Sequence, residues 1–106
     1  MPHQVFRILV VHESATIRAE LVQAFQAEGC TTQEAESSAA AVREIWGGSF
    51  DAALVSPQLP KVSGTPLEEH LRSLAPEIIT VPIKREATAK LVRRVMELLD
   101  GGSIAA

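Results

Sequence analysis

An apolar run, Ala52-Ala53-Leu54-Val55, constrains the fold of this chain more than any other feature of its sequence. It shows no polar alternation, which is typical of a strand covered on both faces in a parallel sheet. Pro57 and Pro60 follow and cannot continue a strand, so the strand predicted over residues 50–56 ends at Ser56. In such sheets ligands bind at the carboxyl ends of the strands, which makes Ser56 a candidate functional residue.

The remaining elements follow from the same kind of pattern. Aliphatic runs predict strands over 5–11 and 78–83, and a more polar run predicts an edge strand over 30–35. Apolar residues at helical spacing predict helices over 14–28, 39–46, a segment that opens at Thr65, and 86–99. Four βα units with right-handed crossovers give an α/β fold, a parallel sheet with helices on both faces. We expect 30–35 and 50–56 on either side of the first strand.

Local patterns also assign residues to helix ends. The predicted caps are Ser14 or Thr16, Ser37 or Ser38, and Thr65, which would form a capping box with Glu68. Gly29 supplies a left-handed stop after the first long helix.

Three large apolar residues, Ile17, Trp46 and Leu98, belong to the helix stripes that we expect to face the core, whereas Arg94 is assigned to the solvated side of the last helix.

Length and composition fit one globular domain. The chain has 106 residues, 46% of them hydrophobic and 22% charged, and its formal net charge of −3 argues against a nucleic-acid-binding surface. The single cysteine, Cys30, allows no internal disulfide and is expected to be a buried apolar group. With no apolar run long enough to span a bilayer and no leader-like segment, we expect a cytoplasmic protein without a membrane partner.

Four stretches, taken in order, resemble the receiver domain of bacterial two-component response regulators of the chemotaxis-regulator type. They are RILVVHESATIRAEL, EGCTTQEAESSAAAVREIW, ALVSPQLPKVSG and KREATAKLVRRVMELL. The resemblance implies a flavodoxin-like doubly wound parallel sheet, here shortened to four units. It divides the chain into a pseudo-receiver domain over 1–100 and a flexible tail over 101–106.

The family transfers a phosphoryl group from a histidine kinase to an aspartate, beside an acidic pair that helps to hold Mg²⁺. The resemblance places Ser56 at the position of that aspartate, His12 and Glu13 at the acidic pair, and Lys84 at the family's lysine. It therefore predicts a degenerate phosphorylation pocket with no catalytic residue, metal or cofactor. Lys84 either pairs with Glu13 across the pocket or is solvated. His12 is expected to form hydrogen bonds within the pocket, and its alternative role is that of a pH-sensitive element.

The family has five βα units, and this chain has one strand between Leu74 and Lys84 where the family has a strand, a helix and another strand. That strand corresponds to the family's fourth or its fifth, and Thr80 is a candidate remnant of the family's switch residue. In space we expect it beside 50–56, because a gap would leave the sheet's ladder unpaired. Pro82 is expected to protect the free edge of this last strand.

These observations leave three functional hypotheses. The first is a phosphorylation-independent module, not an enzyme, that signals or scaffolds through protein contacts. Its partner, or a second copy of the chain, would bind at the last strand's edge or at helices 14–28 and 86–99. The second is a small-ligand-binding or hydrolytic pocket formed by Ser56, His12, Glu13 and Lys84. The third is an N-terminal regulatory domain of a larger response regulator.

Overall fold

Four strands and four helices alternate along residues 5–104, the part of the chain that the computed structural model describes, with side chains described over residues 5–100. They are β1 (Arg7–Val11), α1 (Ala15–Ala27), β2 (Thr31–Ala35), α2 (Ser38–Gly47), β3 (Ala52–Val55), α3 (Leu67–Leu74), β4 (Ile79–Pro82) and α4 (Thr88–Ile104). The four predicted βα units are confirmed.

The strands form one parallel sheet in the order β2-β1-β3-β4. Leu54 of β3 lies opposite Val10 of β1 on one side and Val81 of β4 on the other. The order is the first part of the flavodoxin-like order 2-1-3-4-5, and within residues 5–104 no strand occupies the fifth place. The predicted α/β, flavodoxin-like fold and the place of the last strand beside β3 are confirmed.

Helices cover both faces of this sheet. α1 and α4 pack on the face that carries Val10 and Leu54, and α2 and α3 pack on the face that carries Leu9 and Val55. The central strands are accordingly buried along their apolar lengths, with exposures of 0% for residues 8–11 and at most 1% for 52–55. The absence of polar alternation in the sequence thus reflects burial on two sides.

Side-chain caps open the first two helices, as the sequence predicts. The Ser14 hydroxyl accepts a hydrogen bond from the backbone N–H of Ile17 at 3.3 Å. The Ser37 hydroxyl accepts one from the N–H of Ala40 at 3.1 Å. Gly29 has a φ of 87°, the left-handed conformation expected of the stop after α1.

Thr65 does not cap α3, and this prediction was wrong. Thr65 and Val62 exchange two backbone hydrogen bonds of 2.8 and 2.9 Å around a tight turn. The turn residues Ser63 and Gly64 have positive φ values of 51° and 81°, as a type I′ hairpin turn requires. Because this turn fixes Thr65, the helix starts one step later, with Pro66 as an N-cap that makes no side-chain hydrogen bond.

The three apolar side chains predicted to face the core are exposed instead. Their exposed fractions are 76% for Trp46, 46% for Leu98 and 37% for Ile17. Neighbouring residues on a helix point about 100° apart. Since Ile45 and Leu99 occupy the buried positions, Trp46 and Leu98 are turned toward solvent.

β4 occupies the fourth place in the sheet, but the helix that follows it does not pack where a helix leading to a fifth strand would pack. A right-handed crossover to a fifth strand beyond β4 would lie on the same face as α3. α4 instead packs with α1 on the opposite face. The last strand therefore takes the fourth position of the order 2-1-3-4-5, and α4 does not lie where a helix leading to a fifth strand would lie.

A side chain of α3 reaches β4 on the face that a fourth crossover helix would cover. Thr80 points to this face, because its neighbours Ile79 and Val81 pack into the α1–α4 side of the core. Arg72 of α3 donates a hydrogen bond from Nη1 to Oγ1 of Thr80 at 2.7 Å. This contact ties the edge strand to α3.

The free edge of β4 is poor in hydrogen-bond donors. The N–H of Ile79 points inward and donates to the carbonyl of Asp51, the residue before β3, at 3.1 Å, and the N–H of Ile83 donates to the carbonyl of Val55 in β3 at 2.9 Å. Because N–H groups of alternate residues point to opposite edges, positions 80 and 82 face outward. Pro82 has no N–H, which supports its predicted protection of this edge.

α4 continues to Ile104, beyond the predicted end at residue 99. Gly101 and Gly102 are weak helix formers, which is why the sequence pattern indicates an earlier end. The flexibility predicted for 101–106 stays a prediction, and residues 105 and 106 lie outside the described residues. None of the helices within residues 5–104 has the length and apolar character needed to cross a bilayer.

The central position of β3 can be tested by truncating Leu54, which is fully buried. We expect Leu54→Ala to lower the free energy of unfolding by about 2–5 kcal/mol, and Val10→Ala by less, because it removes fewer buried atoms. Leu98→Ala is the matched control and should cost less than about 1 kcal/mol, since Leu98 is 46% exposed. Urea unfolding followed by circular dichroism suits the measurement, because Trp46 is already exposed in the native state. An unchanged midpoint for Leu54→Ala would contradict the central position of β3.

The Arg72–Thr80 contact can be measured with a double-mutant cycle. Arg72→Ala and Thr80→Val each remove one partner, and Thr80→Val keeps the shape of the side chain. We expect a coupling free energy of about 0.5–1 kcal/mol between the two positions, as for a solvent-accessible hydrogen bond. Additive effects of the two substitutions would show that the contact does not secure β4.

Candidate functional site

A pocket of about 380 Å³ opens at the carboxyl ends of β1, β3 and β4. The loops that follow these strands line it, together with Ile17 and Leu21 of α1 and Leu91 of α4. All four residues of the predicted degenerate phosphorylation pocket, His12, Glu13, Ser56 and Lys84, are among the lining residues. The topology accounts for this, because parallel strands end at one edge of the sheet.

Ser56 lies at the end of β3 and is only 2% exposed. Its backbone N–H donates to the carbonyl of Val11 at 2.8 Å, which extends the pairing of β3 with β1 by one residue. Its hydroxyl accepts a hydrogen bond from the backbone N–H of Gln58 at 3.3 Å, as in a local serine turn. The side chain is thus neutral, buried and engaged with the loop after its own strand.

Glu13 is the acidic group nearest to Ser56 in the β1–α1 loop. Its pKa lies below the ordinary value, chiefly because the carboxylate accepts a hydrogen bond from its own backbone N–H and also interacts with the Ser56 hydroxyl. Partial burial opposes this effect, and the nearby His12 contributes least. The Glu13 side chain remains 44% exposed and is ionised at neutral pH.

His12 is held through both its ring and its backbone. Its Nδ1 accepts a hydrogen bond from the backbone N–H of Ser14 at 2.9 Å, and its carbonyl accepts one from Nη1 of Arg18 at 2.7 Å. A neutral imidazole has one lone pair for accepting, so this contact places the ring proton on Nε2. Glu13 Oε1 lies 3.4 Å from the same Nδ1, and in this state the pair carries no charge-to-charge attraction.

Lys84 follows β4 at the pocket rim and is exposed. Of the two arrangements that the sequence leaves open for it, the solvated lysine is the one observed. Among the described residues, ion pairs join Glu13 to His12, Arg18 to Glu34 and Arg94 to Glu86, and none joins Glu13 to Lys84.

Glu86 is a residue of the pocket that the sequence analysis does not identify. Glu86 lines the pocket with its side chain only 15% exposed, and its Oε1 lies 2.8 Å from Nη1 of Arg94. Arg94 was assigned to the solvated side of α4, but it is partly buried by this pair. The two residues are eight positions apart, so the helical spacing of three or four residues gives no sign of the contact.

Thr80, the candidate switch remnant, does not line this pocket. It lies within β4 opposite Ala53 and faces α3, where Arg72 binds its hydroxyl. The structure therefore brings four of the five predicted site residues together and places Thr80 on the other face of the sheet.

The donors in the pocket do not fit Mg²⁺. This ion requires near-octahedral oxygen ligands, commonly from one or two carboxylates and phosphate oxygens. Beside Ser56 the pocket offers the Glu13 carboxylate, a hydroxyl already engaged, an imidazole whose accepting nitrogen is engaged, and a lysine. Of the other two carboxylates that line the pocket, Glu86 is paired with Arg94 and Glu20 is exposed on α1. Over the described residues, no group of three His, Cys, Asp or Glu side chains could hold a metal ion.

Comparisons with solved structures identify the same fold in other proteins. A receiver domain protein from Methanospirillum hungatei JF-1, described as CheY-like, has a TM-score of 0.82 at 21% identity, covering 97% of this chain and 100% of that one. The chemotaxis response regulator CheY4 of Vibrio cholerae has a TM-score of 0.75 at 13% identity, with 91% and 99% covered. NtrX from Brucella abortus has a TM-score of 0.77 at 16% identity, covering 96% of this chain but 28% of that one.

At these identities the likeness to solved structures shows a shared fold. A separate comparison with curated protein sequences finds no match. The family-level comparison is the decisive one, because it rests on the sequence. The profile of the response regulator receiver domain matches residues 8–100, which include every strand but the first residue of β1 and all four pocket residues. This chain belongs to the response regulator receiver domain family.

Proposed function

We propose that this chain is a receiver-type signalling module that works without phosphorylation, through contact with a protein partner. The observation that carries the proposal is the residue at the end of β3. The family resemblance puts a phosphate-accepting aspartate there, and this chain has Ser56, a neutral hydroxyl that is 2% exposed. A serine hydroxyl is a weak nucleophile unless a base activates it.

The surroundings of Ser56 offer no such base. Glu13, with its lowered pKa, is a weak proton acceptor. His12 accepts from Ser14 through Nδ1, so its remaining ring nitrogen carries a proton. The same arrangement weighs against the hydrolytic hypothesis, which needs a histidine nitrogen free to take the proton of Ser56.

The partner surface is best supported on α1 and α4, which lie side by side on one face of the sheet. Ile17 of α1 and Leu98 of α4 are exposed by 37% and 46%, against the prediction that they face the core. Exposed aliphatic side chains contribute to a protein interface where they form a contiguous patch. The free edge of β4 is the less suitable surface, because Pro82 removes one of its donors. The partner is a different protein or a second copy of this chain.

Two further hypotheses have some support. The pocket volume of about 380 Å³ falls in the range of small-ligand sites, which favours a ligand-regulated version of the same module. A thermal-shift screen with small metabolites tests that version.

The Brucella abortus NtrX chain, of which this chain covers 28%, shows the same fold within a longer protein. That observation supports a place for this domain in a larger regulator.

We predict that the protein does not accept a phosphoryl group from acetyl phosphate in the presence of Mg²⁺. The reason is the absence of an aspartate at position 56 and of a second carboxylate at position 12. Intact mass measured under mild pH is the readout. Stoichiometric phosphate incorporation would contradict the proposal.

Restoring only the acceptor should not restore phosphorylation. In Ser56→Asp the ring of His12 still occupies the place of a carboxylate, so we expect weak Mg²⁺ binding and little phosphate incorporation. The new carboxylate near Glu13 should also lower stability modestly, because two like charges then share the pocket. The matched variant, His12→Asp combined with Ser56→Asp, supplies a second carboxylate and should bind Mg²⁺ more tightly. If Ser56→Asp alone incorporated phosphate as efficiently as the double variant, the role assigned to His12 would be wrong.

A further inference from the structure

The ring of His12 faces two competing partners at one nitrogen atom. Nδ1 accepts from the Ser14 N–H at 2.9 Å, and the Glu13 carboxylate lies 3.4 Å from the same Nδ1. The first contact needs an unprotonated Nδ1, whereas a bond to the carboxylate needs a protonated one. The two contacts therefore exclude each other, and the protonation of the ring selects between them.

The backbone of His12 is fixed while its ring exchanges partners. The Arg18 guanidinium donates to the His12 carbonyl at 2.7 Å and also pairs with Glu34 of β2 at 3.0 Å. The His12 backbone N–H donates to the carbonyl of Ala35 at 3.1 Å. These contacts hold the end of β1 in place, so the change on protonation falls on the ring and on the residues that follow it.

Ser14 links this exchange to α1. It is the N-cap of the helix, and its hydroxyl accepts from the N–H of Ile17. Its own N–H is the group that His12 holds, in the manner of a side-chain turn that bonds the backbone two residues on. Releasing that N–H frees the loop that sets the first turn of α1. Ile17 in this turn belongs both to the pocket wall and to the exposed surface of α1.

We propose that His12 is a pH-sensitive latch on the first turn of α1. With the ring neutral, Nδ1 holds the Ser14 N–H and the turn is closed. With the ring protonated, the proton on Nδ1 turns toward the Glu13 carboxylate and the Ser14 N–H is released. As regulation of partner binding at the α1–α4 surface, the latch rests on the proposed function. As a local exchange of hydrogen bonds, it does not.

Both carboxylates and cations surround His12, and they act on this exchange of hydrogen bonds in opposite senses. Those that line the pocket or contact His12 are Glu13 in the β1–α1 loop, Arg18 and Glu20 of α1, and Lys84, Arg85 and Glu86 after β4, while Glu34 of β2 acts through Arg18. The residues that the β3–α3 loop contributes are uncharged. Glu86 is paired with Arg94 and Glu34 with Arg18, and among the described residues the ion pair of the His12 ring is with Glu13 and not with Glu20. Glu13 is therefore the partner toward which the protonated ring turns.

The test is an NMR titration of the intact protein in the absence of Mg²⁺ and of any partner. The ring signals of His12 and the backbone amide signals of residues 13–18 are followed as the pH is lowered through the histidine range. We expect the Ser14 amide to shift with the same midpoint as the His12 ring, and the amides of the first turn of α1 to move with it. A Ser14 amide that does not follow the His12 ring would overturn the latch.

Two variants separate the latch from other titrating groups. His12→Asn keeps a side-chain oxygen that can hold the Ser14 N–H at every pH, so the shift of the Ser14 amide should be lost. Glu13→Gln replaces the carboxylate with a neutral amide that holds the protonated ring less strongly, so the amide shifts over residues 13–18 should be smaller. An unchanged Ser14 titration in His12→Asn would assign the shift to another group and overturn the proposal. Phosphate incorporation tests the proposed function separately, because the titration contains no phosphate donor.

Discussion

Burial of β1 and β3 on both faces is the constraint on which the rest of this structure depends. Residues 8–11 and 52–55 are at most 1% exposed, so each strand needs helices on two sides and a neighbour at each edge. Parallel pairing then brings the ends of both strands to one edge, where His12 and Ser56 follow directly. The pocket is a consequence of how the core is built, because the strands that form the core also end at it.

The strands, their order in the sheet and two helix starts could be predicted, whereas the direction of single side chains and the start of α3 could not. Apolar runs predict β1, β3 and β4, a more polar run predicts β2, and the hydroxyls of Ser14 and Ser37 predict two helix starts, since a cap acts within three residues. Thr65 has the same local signature, but its backbone is committed to Val62 across a turn. The prediction that Trp46 faces the core was wrong for a related reason. The helical pattern places both Ile45 and Trp46 on the apolar stripe, and the packing buries Ile45 alone.

The candidate site shows the same division. Strand order predicts that His12, Glu13, Ser56 and Lys84 meet at one edge, and they do. Which of these four side chains are in contact depends on how far each one extends into the pocket. Glu13 lies 3.4 Å from the residue beside it in sequence, and no ion pair joins it to Lys84 in the described part of the chain. The Arg94–Glu86 and Arg72–Thr80 contacts span eight positions each and arise only when helix and loop or strand are brought together.

A carboxylate and an imidazole differ in how many hydrogen-bond partners they can hold. An ionised carboxylate has about four lone-pair positions, so it can accept a backbone N–H and still bind a cation. The neutral ring of His12 has one accepting nitrogen, and Ser14 occupies it. The ring of His12 can therefore accept from the Ser14 N–H or carry a proton on Nδ1, but not both at once. Thr80 cannot transmit such a change, because it lies on the other face of the sheet under Arg72. The β1–α1 loop, where ring, carboxylate and helix cap meet, is the part of this pocket whose geometry offers two alternative hydrogen-bonding states.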